Sequence, residues 1–200
     1  MLRHERTDDA VWKELAAQAE KVLAHADFLT TWMHHWIGVA FAHVGDWEKA
    51  TRQLERLRRL PAGRASGQWS TLGAALLDAE MAMLRGDEAA AVELMAPSIA
   101  GIDTMGGGSR EQKDIFRDVF LELHRRLGRV EQVIALAQQR LLQNPWHLQS
   151  LAALAWAYER NGNESLRRQA CRQLVSRAWD VGAAAAPEVV AARAVLEVPV

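Results

Sequence analysis

The chain has 200 residues, of which 50% are apolar and 24% charged, with a formal net charge of −1 and a single cysteine. That length and apolar content suffice for one sizeable core or an array of repeats without covalent staples, whereas the near-neutral charge argues against a surface built to neutralise many phosphates. The lone Cys171 excludes an internal disulfide and a thiolate metal cluster; with no apolar segment in MLRHERTDDA and no apolar run near about 18 residues, neither a signal peptide nor a membrane span is expected, and the expected compartment is the cytoplasm.

Thr7 can cap a first helix, with Asp8 and Asp9 in its opening turn; Val11, Trp12, Leu15, Ala19, Val22, Leu23 and Ala26 then follow at helical spacing to about Phe28. A second helix begins near Thr30, carries Trp32, Trp36, Val39, Ala40 and Val44, and stops at Gly45; Asp46 caps a third through Leu60, which Pro61 and the segment PAGRASG end. The fourth spans about Gln68 to Arg85 and halts at Gly86. Asp87 caps its partner, which Pro97 limits or kinks by removing a backbone donor. Beyond the glycine run at 106–108, Ser109 with Gln112 forms a capping box for a helix whose stripe is Ile115, Phe116, Val119, Phe120, Leu123 and Leu127. Gly128 closes it. Helices from Arg129 to Gln143, Trp146 to Arg160 and Asn163 to Asp180 follow, and the tail from Pro187 to residue 200 forms a short capping helix. Eight tryptophans against one tyrosine, spread over nearly every helix, are expected to be packing residues.

The pairs turn at Gly45, Gly86, Gly128 and Gly162, roughly 34–42 residues apart, the range in which periodicity signals a helical solenoid. One pair cannot bury its apolar face alone, so neighbours stack. The segment LGRVEQVIALAQQRLLQNP, with Gly128 at the tight turn and Pro145 at the closing position, resembles the second half of a tetratricopeptide repeat. WIGVAFAHVGDWEKATRQL resembles the same repeat through Ile37, Gly38, Phe41, Gly45, Trp47 and Ala50, and the pair around Gly162 does so through Leu154, Ala155 and Tyr158. The stretch from Gly86 to His147 further resembles the C-terminal part of the tetratricopeptide repeat protein 38 family, on Gly107, Gly108, Ser109, Gln112, Lys113 and Asp114. The expectation is a single all-α domain over residues 1–200, antiparallel helical hairpins stacked as a TPR-like right-handed α-solenoid. The resemblance implies a fold and carries no activity with it.

Gly107, Gly108, Ser109 and Arg110 place backbone donors at a helix start, where an anion can bind; helix capping alone also explains them. Gly101 and Gly106 have a phosphate-loop gap, yet Gly107 stands where the lysine belongs and no strand precedes it. His25, His34, His35 and His43 cluster in sequence without metal-ligand spacing, so no metal and no cofactor is expected. Trp32, His34, His35 and Trp36 could line a concave groove, the surface such solenoids use for partners. Arg52, Arg56, Arg58, Arg59 and Arg64 form the densest basic run, most simply a solvated face and otherwise a docking face for an acidic partner. Arg167, Arg168, Arg172 and Arg177 ride the last long helix, with Cys171 among them as a buried small residue. No catalytic constellation is present. The expected function is therefore a non-catalytic scaffold binding a protein or peptide in its groove, with a small anionic-ligand module or enzyme accessory as the alternative. Trp12 near one end and Trp179 near the other suggest a homodimer; no nucleic acid or membrane partner is expected.

Overall fold

Ten α-helices, and no strand, make up the described residues of the computed structural model, which are 9–25, 29–60, 66–103 and 110–198. They are α1 (Asp9–His25), α2 (Thr31–His43), α3 (Trp47–Arg59), α4 (Ser66–Leu84), α5 (Glu88–Gly101), α6 (Arg110–Arg126), α7 (Val130–Gln143), α8 (Leu148–Arg160), α9 (Glu164–Asp180) and α10 (Pro187–Glu197). No helix among the described residues is long and apolar enough to cross a membrane. Thr7, Phe28 and Ser109, expected at helix ends, lie outside the described residues.

Five turns share one construction. The N–H after the glycine reaches back five residues to a carbonyl: Asp46 to Phe41 (2.9 Å), Asp87 to Ala82 (2.9 Å), Arg129 to His124 (3.0 Å), Asn163 to Tyr158 (2.9 Å) and Ala183 to Ala178 (2.8 Å). This is the Schellman closure of a helix C-terminus, and it places the residue before the donor in the left-handed region. Gly45, Gly86, Gly128, Gly162 and Gly182 occupy that position, with φ of 78°, 82°, 69°, 66° and 71°. The next helix is capped in the same few residues. Asp46, Asp87 and Asn163 accept from the N–H groups of Lys49 (3.1 Å), Ala90 (2.9 Å) and Leu166 (3.1 Å), while Arg129 stands at the equivalent place with no capping bond.

Three details differ from the sequence expectation. Pro97 lies inside α5 and does not end it, since the helix continues to Gly101 with Ile102 fully buried just beyond. Trp146 precedes α8 instead of starting it: its N–H bonds Asn144 Oδ1 in a side-chain turn, and the cap is His147, whose Nδ1 accepts from the Ser150 N–H at 3.3 Å. A fifth turn stands at Gly182, between the helix expected to end at Asp180 and the one expected from Pro187, where no Asp or Asn follows the glycine to mark it.

The chain divides into two compact units, Met1–Phe120 and Leu121–Val200, with the boundary inside α6. In the first, α1 lies on α2, α2 packs against α3 and α4, α3 against α4, and α4 against α5. Val39, Phe41, Ala50, Leu54, Leu57 and Leu77 form its centre. In the second, α7 packs on α8, α8 on α9 and α10, and α9 on α10, around Val133, Ala137 and Ala157 and, further along, Leu151, Cys171, Leu174 and Val189. Not every tryptophan packs: Trp12 and Trp69 are buried, but Trp36, Trp146 and Trp179 are 41%, 52% and 73% exposed.

Helix α2 is buried nearly all round, which requires small residues where neighbours come closest. A Cβ on Gly38 would collide with Leu77 Cδ2 and crowd Gln53 Cβ at 3.2 Å, whereas one on Gly73 would meet ordinary contacts from 3.6 Å outward. Overpacking costs typically about 1–3 kcal/mol and exceeds the gain of up to about 1 kcal/mol in helix propensity. Chemical denaturation is therefore expected to show Gly38→Ala destabilised by about 1 kcal/mol and Gly73→Ala unchanged or stabilised. Arg129→Asp, which supplies the missing cap, is expected to stabilise the second unit by about 1 kcal/mol; no rise in its unfolding midpoint would show that α7 is already satisfied at its start.

Candidate functional site

The histidines of α2 tie it to its neighbours. Carbonyl and carboxylate oxygens only accept, so each histidine nitrogen facing one carries the proton. His34 Nδ1 donates to Gln53 Oε1 of α3 at 2.9 Å, and His35 Nδ1 to the Gly73 carbonyl of α4 at 3.0 Å; both histidines are buried. At the last residue of α2, His43 Nε2 donates to the buried Glu80 at 3.0 Å, and Trp12 of α1 stacks on the His43 ring with centroids 3.7 Å apart and planes 5° from parallel. Trp12 is thereby buried and is not an exposed terminal surface.

An aromatic cluster gathers at the other end of α2. Trp32 lies 5.0 Å from Trp69 of α4 and 5.8 Å from Phe116 of α6, with His35 edge-on at 5.8 Å and Trp36 edge-on to His35 at 5.2 Å. Of the four groove candidates, His34 and His35 are thus buried in helix packing, Trp32 is half-buried, and Trp36 alone is exposed. Gly107, Gly108 and Ser109 lie outside the described residues, as does Arg64. Arg110 opens α6 with its Nε 3.9 Å from Asp114. Among the described residues, no group of three or more His, Cys, Asp or Glu is placed to hold a metal.

A concave site lies elsewhere, where α1, α2 and α3 meet. A cavity of about 350 Å3 is lined by Glu20, Leu23 and Ala24 of α1, Phe41 of α2, and Lys49, Arg52, Gln53 and Arg56 of α3. Positions 49, 52, 53 and 56 share one face of a helix by spacing alone, flanking the buried Ala50, Leu54 and Leu57, with Gln53 buried at the border. Lys49 is held at both sides, 2.5 Å from Glu20 and 2.9 Å from Asp46, and its ring neighbour is Phe41 at 5.3 Å. Hydrogen bonds donated to Glu20 and then to Asp46 push the Lys49 ammonium above its usual value, and the Lys49 hydrogen bond holds Asp46 below the usual carboxylate range. The basic stripe was visible in the sequence as a solvated face; its opposition to α1 was not.

In the second unit a smaller cavity of about 170 Å3 is lined by Trp156, Glu159, Arg167, Cys171 and Val195 among others. Burial pushes the Cys171 thiol up, which keeps it protonated and unreactive. Arg168 caps α10, donating to the carbonyls of Val195 (2.9 Å), Leu196 (3.1 Å) and Val198 (3.0 Å). Part of this arginine run is therefore structural. The chain matches no family model, no curated protein and no solved structure.

Asp46 has the folded pKa below its ordinary 3.8, so its ion pair adds stability above that pH and loses it as pH falls through the folded value. Asp46→Asn keeps a cap acceptor and removes the charge. Wild type is expected to exceed this variant by at most about 1 kcal/mol at neutral pH, since the pair is partly exposed, with the gap closing in strong acid; urea midpoints that differ equally at both pH values would contradict the ion-pair account.

Proposed function

We propose that the chain is a non-catalytic helical-repeat scaffold, its units built from TPR-like antiparallel hairpins stacked with the hand of a right-handed α-solenoid, and that it binds a protein or peptide segment. The observation that carries this reading is the neighbour rule. Each helix from α2 to α4 packs on the next, α2 also packs on α4, and α8 repeats the pattern with α9 and α10, with one Gly-centred turn recurring along the chain. Such a layout presents the first helices of successive pairs side by side, and contact of Trp32 on α2 with Trp69 on α4 and Phe116 on α6 suits it. The expected groove residue is then Trp36, an aromatic with 41% of its surface exposed, since aromatic anchors dominate binding energy at preformed surfaces. The resemblance to the tetratricopeptide repeat protein 38 family agrees with this architecture.

Display of a random peptide library against the purified chain tests it. Selected peptides are expected to bind with Trp36→Ala weakened by about tenfold or more and Trp179→Ala unchanged. Selection of no peptide above a helical control protein, or peptides indifferent to Trp36→Ala, would remove this reading.

A further inference from the structure

We propose that the cavity between α1, α2 and α3 binds a small organic anion with an apolar body, its carboxylate or phosphate head taken by Arg56, Arg52 and the side-chain amide of Gln53. The volume of about 350 Å3 lies at the lower end of the range of small-ligand sites, and at about 30 Å3 per water-sized group it admits roughly ten non-hydrogen atoms. The wall is divided by chemistry. Leu23, Ala24 and Phe41 give an apolar side, and Lys49, Arg52 and Arg56 face a single lining carboxylate, Glu20.

The three cations are not equally committed. Lys49 is engaged by Glu20 and Asp46. Arg52 pairs with Glu48 at 3.5 Å, with both side chains more than half exposed. The Arg56 guanidinium has no ion pair or hydrogen bond among the described residues, while its neighbours Arg58 and Arg59 are paired with Asp78 and Glu55. A surplus of positive charge at the mouth of a low-dielectric recess concentrates potential there and raises the local concentration of anions.

Gln53 is the second, independent observation. It is 3% exposed, lines the cavity, and uses Oε1 to accept from His34. Its NH2 group is therefore directed away from that bond and stays accessible from the cavity. A carboxylate or phosphate oxygen there gives it a charge-assisted acceptor. His34 fixes which end of the amide faces inward, so the donor is oriented before any ligand arrives. This site is separate from Trp36 and does not rest on the peptide-binding reading.

Titration calorimetry of the whole chain with hexanoate, hexyl phosphate, 1-hexanol and inorganic phosphate tests the proposal at low ionic strength. At least one hexyl anion is expected to bind, about tenfold or more tighter than 1-hexanol and than inorganic phosphate, and the tighter of the two anions names the head group. Arg56→Gln is expected to weaken it about tenfold. Arg59→Gln, outside the cavity, and Trp36→Ala are expected to leave it unchanged. Gln53→Met, with folding checked by circular dichroism, is expected to lose binding while Arg59→Gln does not. Binding of no probe, equal binding of 1-hexanol, or equal weakening by Arg56→Gln and Arg59→Gln would overturn it. Failure of peptide binding with these anion results intact would leave the site standing.

Discussion

The left-handed glycine that closes one helix and hands the chain to the cap of the next is the constraint on which the structure rests. A helix leaves carbonyls unsatisfied at its end and N–H groups unsatisfied at the following start. The turns at Gly45, Gly86 and Gly162 resolve both within a few residues, the N–H of the residue after the glycine closing the first helix and the side chain of that same residue capping the second. With so little chain between helices, successive helices have few ways to pack. The tight turn at Gly45 is what sets the stripe of Lys49, Arg52, Gln53 and Arg56 at a fixed place relative to α2.

Turn geometry alone does not fix how far one helix slides along another. α2 presents small residues on several sides, and a smooth apolar contact changes little when shifted by a turn. Its directional bonds do change. His34 to Gln53, His35 to the Gly73 carbonyl and His43 to Glu80 exist in one register only, and Gly38 admits Leu77 at one height. A slip would bury these donors and acceptors unpaired, at a cost well above that of losing a methyl contact. The histidines act as pins between helices.

Much of the helical layout was legible in the sequence because its signals are local. Glycine followed by Asp or Asn is a stop and a start in adjacent residues, and the spacing of such pairs marked the turns at Gly45, Gly86 and Gly162. Where the signal is not local, the reading stopped. His147 caps α8 through a ring nitrogen, a role rare enough for histidine that Trp146 was placed in the helix instead. At Gly182 the next residue is Ala183, which offers no capping side chain, so the turn lacks the glycine–Asp or glycine–Asn signature although the helix ends on either side of it are marked. Exposure of Trp36, Trp146 and Trp179 depends on which neighbour covers them, and a single helical stripe cannot say. The candidate cavity is the extreme case: Glu20, Leu23 and Ala24 carry no unusual spacing, and the arginines of α3 read as an ordinary solvated face until α1 is laid across them.

That last point bears on how a charged helix serves two purposes. Like charges along one helix repel and destabilise it unless they are compensated. Asp78 on α4 and Glu55 on α3 itself compensate Arg58 and Arg59, and Glu20 and Asp46 compensate Lys49. The compensation is uneven. It is strong at Lys49 and along the outer arginines, weak at Arg52, and, among the described residues, absent at Arg56, so the residual field of the run emerges beside a recess that α1 helps to line. A stripe neutralised evenly would serve only solubility. One left least neutralised beside a recess, with the Gln53 amide on its wall, favours negative charge at that place.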